Sequence, residues 1–251
     1  MSLPLSAGSP LRGCNRTVLA LEIRRVLRNV RTVVLVVVMP TSFFLLYGLP
    51  SRASGGRPAA QTMVSMAAYG AMVGAAGCGA GVAVERALGW QRQLRLTPMR
   101  PLAQVAVKAV TAMVLGLVSV AAEFVLGAAF GVRLGWGRWL LAAAAAWLPA
   151  LLFAVLGLLC GLLLPAANVM QLAGPGLALL AVFGGLFVPL EVLPRRLRDI
   201  APFTPAYGPG ALARAAVSGG GVLVPVLGQA AWTVLFGALA VRRLRRDIRR
   251  T

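Results

Sequence analysis

Side chains that could carry out chemistry are scarce in this sequence. Its 251 residues include no histidine and only six acidic side chains, which are Glu22, Glu85, Glu123, Glu191, Asp199 and Asp247. Histidine is the commonest general base and metal ligand at neutral pH, so its absence argues against hydrolytic or metal-assisted catalysis. The three cysteines, Cys14, Cys78 and Cys160, are too widely separated for a metal or redox motif.

The chain also lacks the sequence motifs of an enzyme that handles phosphates or acyl groups. It has no phosphate-binding GxxxxGK(S/T) motif, no GxSxG nucleophile elbow and no HExxH metal site. We therefore expect no catalysis by this chain and no cofactor bound to it. If its activity requires ATP and Mg²⁺, a separate protein must bind them.

Glu123 is the acidic residue that lies deepest in an apolar segment of the chain. A charge inside a membrane costs several kcal/mol on insertion scales, so this side chain should face the bundle interior, water or a partner. One interpretation makes Glu123 a contact for a cationic substrate or a proton, and thus part of a substrate pathway. The alternative places it near the outer end of an overlong helix, where water reaches it. The sequence leaves both open.

The composition predicts an integral membrane protein. Hydrophobic residues make up 59% of the chain and charged residues 12%, about half the charged fraction usual for soluble domains. The net charge of +19 raises the alternative of nucleic-acid binding. However, the arginines lie at the ends of apolar runs and between them, which is typical of membrane topology and of contact with anionic lipids. We therefore expect no nucleic-acid partner.

Six segments are long and apolar enough to cross a bilayer, which takes about 20 residues. They run over 32–49, 62–84, 103–130, 139–164, 172–190 and 222–240. Pro40 should kink the first of them. If all six segments span the membrane, the N-terminal segment, the even-numbered connections and the C-terminal tail lie on one side of it and hold sixteen arginines. The odd-numbered connections lie on the other side and hold eight. Since cytoplasmic loops hold the excess of positive charge, both termini should be cytoplasmic.

The whole chain, 1–251, reads as one all-α integral membrane domain. Residues 32–240 form its six-helix core and 241–251 a basic cytoplasmic tail. Within 1–31, residues 11–31 alternate apolar side chains with arginines, which predicts an amphipathic helix in the inner membrane interface. A solvated basic tail remains the alternative, because the apolar stripe is irregular.

Two connecting segments are unusual. Residues 85–102 combine leucines, arginines and one tryptophan, which predicts a short amphipathic helix on the cytoplasmic side, ended by Thr97-Pro98. Residues 191–221, on the external side, are rich in proline and glycine yet keep many apolar side chains. We expect short re-entrant helices there, over 194–201 and 209–217.

The first of these segments resembles the intracellular loop of ABC-2 type transporter permeases. The residues that carry the resemblance are Glu85, Arg86, Gly89, Trp90, Arg92, Leu94, Arg95, Thr97 and Pro98. The basic N-terminal helix is similar to the connecting helix of that family, and 189–219 to its external re-entrant region. The resemblance implies that Glu85 to Arg95 form a coupling helix that docks on a separate ATPase. It also implies a bacterial inner-membrane location and a dimer of permeases with two ATPases, in contact with membrane lipids. We expect a homodimer, although the sequence does not specify whether the second permease is the same chain or a related one.

Four functions are weighed on these observations. The preferred one is the permease subunit of an ATP-driven exporter that moves a hydrophobic or amphiphilic drug, antibiotic or lipid-like substrate by alternating access. An ATP-independent secondary multidrug transporter should have more ionisable groups within its spans and an internal repeat. A lipid-modifying enzyme should have clustered histidine or acidic residues, and a scaffold would leave the coupling-like loop unexplained. The sequence does not specify the substrate.

Overall fold

The computed structural model describes residues 16–48, 50, 57–89 and 101–249. In those residues the regular structure is helical throughout, as the composition predicts. The α-helices are α1 (Arg16–Leu27), α2 (Val30–Phe43), α3 (Arg57–Ala87), α4 (Pro101–Ala129), α5 (Trp136–Trp147), α6 (Ala150–Leu163), α7 (Ala166–Phe183), α8 (Arg195–Ile200), α9 (Tyr207–Ser218) and α10 (Leu223–Arg249).

Five helical segments of this fold are long and apolar enough to span a membrane. They are α3, α4, α5 with α6, α7, and the first part of α10 up to Leu244. A sixth candidate is the bent pair Leu19–Leu27 and Thr32–Gly48, whose two parts meet at 56°. The count of five to six agrees with the six predicted segments, because the sixth depends on how the bent pair is counted.

The bend separates α1 from the first span at Asn29. The side-chain oxygen of Asn29 accepts a hydrogen bond from the Thr32 backbone N–H at 3.4 Å, which caps the start of α2. Further along, Pro40 lies inside α2, and the helix continues as a π-helical turn over Phe44–Gly48. A kink is expected at Pro40, and the structure has a change from α-helix to π-helix about one turn after this proline.

Helix α3 is the centre of the bundle, in contact with α2, α4, α5, α6, α7 and α9. Small residues permit this close packing. A Cβ atom on Gly79 would lie 2.5 Å from the Ala154 carbonyl oxygen, and one on Gly157 would lie 2.1 Å from the Ala76 carbonyl oxygen. Any larger side chain at these two glycines would push α3 and α6 apart.

The fourth predicted segment, 139–164, is divided into α5 and α6 at Leu148-Pro149. Proline cannot donate a backbone hydrogen bond, so a break at this point is expected. The Gln229 side chain of α10 donates a hydrogen bond to the Pro149 carbonyl oxygen at 2.8 Å. This contact fixes the last helix against the break.

The boundaries of the last two spans differ from those predicted. The fifth span was expected over 172–190, but α7 begins at Ala166 and ends at Phe183. Pro165 precedes its first turn, and Gly185, with a φ of 70°, follows its end. Local backbone chemistry therefore determines the first and last residues of this helix more precisely than hydropathy does. The α10 helix also runs on to Arg249, well past the predicted end at 240.

Alternating helix directions give the bundle two ends, which we call the Glu85 end and the Arg198 end after a residue at each. The Glu85 end carries α1, the last turn of α3 and the last turns of α10. The Arg198 end carries the segment between α7 and α10. This segment contains α8 and α9, whose bounds agree within two residues with those of the two predicted helices, 194–201 and 209–217. Whether this segment enters the membrane stays a prediction.

Candidate functional site

A cluster of four charged side chains lies at the Glu85 end, where three helices meet. Lys108 of α4 is its centre, and its ammonium group contacts the carboxylates of Glu22 and Glu85. The distance from Lys108 Nζ to Glu85 Oε1 is 2.5 Å. Arg25 of α1 lies 3.1 Å from Glu85 Oε1 and 3.7 Å from Glu22 Oε2. We call these four residues the charge cluster.

The charge cluster is electrically balanced and largely shielded from solvent. Two carboxylates face two cations, and the side chains of Glu85, Lys108 and Glu22 are only 11%, 16% and 17% exposed, whereas that of Arg25 is 56% exposed. Charges removed from water are stabilised only when they are paired with good geometry. The cluster therefore joins α1, α3 and α4 at one point, and removing any buried member leaves a charge without compensation.

Arg86, the neighbour of Glu85, points to a different helix. Its guanidinium donates hydrogen bonds to the carbonyl oxygens of Gly161 at 3.2 Å and Leu162 at 2.5 Å, in the last turn of α6. Carbonyls at a helix C-terminus have no partners within the helix and favour a cation. The pair Glu85-Arg86 thus connects the end of α3 to α1 and α4 on one side and to α6 on the other.

Gly89 ends α3 in a left-handed conformation. Its φ is 71°, and its backbone N–H donates to the Arg86 carbonyl oxygen at 3.1 Å. A residue with a Cβ atom would be strained at this φ. The chain therefore leaves the helix directly after the Glu85-Arg86 pair, at the point where the predicted coupling segment continues.

The remaining residues of that predicted segment lie outside the described residues. They are Trp90, Arg92, Leu94, Arg95, Thr97 and Pro98. Of the nine residues predicted for coupling, the structure places Glu85, Arg86 and Gly89, all at the end of α3. Docking of this segment on an ATPase stays a prediction.

The second predicted site residue, Glu123, lies inside the bundle on α4. It is fully buried, and its Oε1 atom accepts a hydrogen bond from the Thr41 hydroxyl of α2 at 2.7 Å. Its other oxygen, Oε2, is buried without a hydrogen-bond partner. The interpretation of Glu123 as a water-exposed residue at the end of an overlong helix is therefore wrong, because packing against α2 removes it from solvent.

Sequence reasoning did not include three of the four residues in the charge cluster. Lys108 is the only lysine of the chain and lies five residues inside the predicted third segment, which was a usable signal for a buried ion pair. Its partners are harder to find, because Glu22 is 86 residues away in sequence and Glu85 is 23. Thr41, the partner of Glu123, is similarly 82 residues from it.

The described residues contain no group of three or more acidic, histidine or cysteine side chains that could hold a metal ion. What they do contain is a bundle of apolar helices joined at one end by the charge cluster, with a further buried carboxyl group, that of Glu123, inside the bundle. This combination defines a helical protein with several membrane-spanning segments.

Comparison with known proteins identifies the family. The model of the ABC-2 type transporter family matches residues 15–210, which is more than three quarters of the chain. The chain therefore belongs to the ABC-2 type transporter family and is a transport permease. Permeases of this family typically work with an ATPase partner.

The chain is also similar to a curated bacterial protein. It is 27% identical over 206 residues to the Bacillus subtilis (strain 168) protein named "Putative transport permease YvfS", covering 79% of this chain and 83% of that protein. The alignment includes most of both chains, so the similarity extends over most of the membrane core.

Proposed function

We propose that this chain is the membrane-spanning subunit of an exporter driven by a separate ATP-binding cassette ATPase. In this proposal ATP and Mg²⁺ bind to the partner, and the permease forms a homodimer in the bacterial inner membrane with both termini in the cytoplasm. The exported substrate is hydrophobic or amphiphilic. Family membership supports the general class, and the sixteen-to-eight arginine distribution supports the orientation.

The observation that carries the proposal is the position of the charge cluster. Glu85 is held by Lys108 and Arg25 immediately before the segment 90–98 that resembles the family's coupling loop. A force applied to this segment would reach α1, α3 and α4 together through the cluster, and α6 through Arg86. Such a rigid joint allows movement of an ATPase to reorient several spans at once.

Alternating access follows if the ATPase binds the inward-facing and outward-facing states with different affinity. A partner can shift an equilibrium only by its differential affinity for the two states. ATP-dependent closure of two ATPases would then supply that difference, and each permease of the dimer would transmit it through segment 90–98. The chain's own residues transmit motion and enclose the substrate.

The proposal is tested by purifying the permease from its native membrane in mild detergent and identifying the proteins that remain bound. We expect an ATPase with nucleotide-binding motifs to copurify. The double variant Arg92→Glu/Arg95→Glu should lose it while still inserting into the membrane. The matched control is Arg195→Glu/Arg196→Glu, two exposed arginines at the Arg198 end, which should retain the ATPase. Equal retention by both double variants would contradict the coupling assignment.

A second candidate function is an ATP-independent secondary transporter, and the buried Glu123 favours it. A carboxyl group enclosed among spans, with one oxygen lacking a partner, is the kind of group that carries protons or cations in such proteins. In this case efflux would survive depletion of ATP and stop when the proton gradient is collapsed. The reverse pattern supports the exporter.

A further inference from the structure

We propose that a cavity at the Arg198 end binds an uncharged, aromatic amphiphile. The cavity has a volume of about 400 Å³ and lies between the end of the first span, the first turns of α3 and the residues that follow α7. Small-molecule sites in proteins typically measure about 300–1,000 Å³. We call it the aromatic cavity. The proposal concerns binding by the permease alone, whether or not an ATPase drives transport.

One side of the aromatic cavity consists of packed rings. Phe187 lies 5.3 Å from Phe43 and 4.5 Å from Tyr69, measured between ring centroids, and Phe43 stacks on Tyr47 at 5.9 Å. Phe43, Tyr47 and Phe187 line the cavity directly. Aromatic side chains prefer offset or edge-to-face contact with another ring, so this wall favours a flat aromatic ligand.

Helix α3 contributes hydrogen-bonding groups to the lining. Gln61, Thr62 and Ser65 of α3 line the cavity, and the Thr62 hydroxyl already donates to the Pro58 carbonyl oxygen at 3.0 Å. No hydrogen bond joins the side chain of Gln61 or Ser65 to any other residue that the structure describes. Ser65 as a whole residue is only 4% exposed. A ligand with a hydroxyl or carbonyl group would hydrogen-bond with these side chains and replace the contacts with water that they lose when the cavity is filled.

The lining also determines the charge of the ligand. The described residues that line the cavity are apolar, aromatic, amide or hydroxyl residues, and none of these described residues is charged. An ionic ligand would lose its hydration on entering and gain no counter-ion from this lining. The cavity therefore fits a neutral molecule with an aromatic body and at least one hydrogen-bonding group.

The wall after α7 is fixed by Arg214 of α9. Its guanidinium donates to the carbonyl oxygens of Gly184 at 3.3 Å and Gly185 at 3.2 Å. Gly185 has a φ of 70°, and a Cβ atom on Gly210 would lie 1.8 Å from the Gly184 carbonyl oxygen. These contacts hold the backbone that carries Phe187, so the cavity is formed before any ligand arrives.

A second cavity provides the comparison that an experiment needs. It measures about 310 Å³, lies between α3, α6 and α7, and is lined by alanine, glycine, leucine and valine together with Cys160. The described residues of its lining offer space to an apolar molecule but no polar side chain apart from that thiol. A compound that only partitions into apolar cavities should occupy both, whereas a ligand recognised by Gln61, Ser65 and the rings should prefer the aromatic cavity.

The test uses thiol protection in two variants reconstituted in lipid nanodiscs. The first carries Ser65→Cys with Cys14→Ser, Cys78→Ala and Cys160→Ala, and the second carries only Cys14→Ser and Cys78→Ala, so that Cys160 is its single thiol. Each is modified with N-ethylmaleimide with and without 4-(hydroxymethyl)benzophenone, a neutral probe with two rings, a carbonyl and a hydroxyl. At ten times its dissociation constant the probe should slow modification of Ser65→Cys about tenfold and that of Cys160 less than about twofold.

Equal slowing of both thiols, or no slowing at either, would overturn the proposal. Photolabelling provides a second measurement that needs no substitution, because benzophenones insert into nearby C–H bonds on irradiation. Adducts on Met66 or Phe187 of the unmodified chain are expected, since both line the aromatic cavity. Adducts confined to residues of the other cavity, such as Leu172 or Leu180, would reject the site even if the cysteine variants fail to fold.

Discussion

At the scale of single residues, the charge cluster depends on one lysine between two carboxylates. Lys108 separates Glu22 from Glu85 and pairs with both. Its own side chain is only 16% exposed, so its charge is stabilised mainly by these two acids. Loss of the lysine would leave two like charges close together in a region that water reaches poorly.

Lys108→Met should therefore destabilise the protein by about 3 kcal/mol, which is the typical cost of breaking a buried ion pair. Adding Glu22→Gln to this variant should restore much of the lost stability, because the remaining Glu85 keeps its contact with Arg25. Thermal unfolding of the purified single and double variants measures both effects. Strictly additive losses would mean that Lys108 and Glu22 are not coupled.

The buried carboxyl group of Glu123 permits a second prediction at this scale. Glu123→Gln should keep stability close to that of the unaltered protein, because the amide still accepts the hydrogen bond from Thr41. Thr41→Val should cost about 1–3 kcal/mol, since it leaves both oxygens of a fully buried carboxyl group without a partner. Thermal unfolding compares the two. A greater loss from Glu123→Gln than from Thr41→Val would contradict the hydrogen-bond assignment.

These residues also mark how far sequence reasoning extends. The cost of a charge in a membrane singles out Glu123 from its position alone, and the same argument applies to Lys108. It does not identify Thr41, Glu22 or Arg25, because their contacts form only after helices distant in sequence have packed together. For Glu85 the sequence gives a resemblance to a coupling loop, and only the folded chain reveals its contacts with Lys108 and Arg25.

At the scale of elements, hydropathy locates the spans well and their ends less well. Apolar runs predict where lipid can surround a helix, while helix ends depend on local backbone chemistry such as Pro165 before α7 and Gly185 after it. The break at Pro149 and the π-helical turn after Pro40 follow from proline chemistry. The short helices α8 and α9 were predicted because apolar residues in a loop need a surface to pack on.

The wall held by Arg214 provides a prediction at the scale of elements. Burial lowers the pKa of this guanidinium, but arginine still remains charged near neutral pH. Arg214→Leu should leave the carbonyl oxygens of Gly184 and Gly185 without this donor and loosen the segment between α7 and α8. Hydrogen exchange read by mass spectrometry should show faster amide exchange over 185–193 in this variant, by about tenfold for a loss of 1.4 kcal/mol.

The control for this prediction is Arg196→Leu on α8, an exposed arginine that should leave the exchange unchanged. If Arg214→Leu gave the same exchange pattern as this control, the wall would not depend on the guanidinium. When Arg214→Leu is added to the single-thiol Ser65→Cys variant, the benzophenone probe should no longer slow modification of the Ser65→Cys thiol by N-ethylmaleimide. This outcome connects the short helices at the Arg198 end to ligand binding without changing any described residue that lines the cavity.

At the scale of the whole molecule, the described helices form one bundle with different chemistry at its two ends. The Glu85 end collects the charge cluster and the arginines of α10, whereas the Arg198 end carries short helices and the aromatic cavity. Attachment to an ATPase requires a polar end in the cytoplasm, and capture or release of an amphiphile suits the opposite end. The two proposals therefore place distinct functions at opposite ends of the same helices.

This division requires the orientation predicted from the arginine distribution, with the Glu85 end in the cytoplasm. In a cysteine-free variant, Arg198→Cys should react with a membrane-impermeant maleimide added to intact cells, as should Arg52→Cys. Arg242→Cys should react only after the membrane is opened, because α10 carries this residue to the Glu85 end. If Arg242→Cys reacted in intact cells and Arg198→Cys did not, the charge cluster would face outward. It could then not receive force from a cytoplasmic ATPase, and the exporter proposal would fail together with the orientation, while binding in the aromatic cavity would remain an independent question.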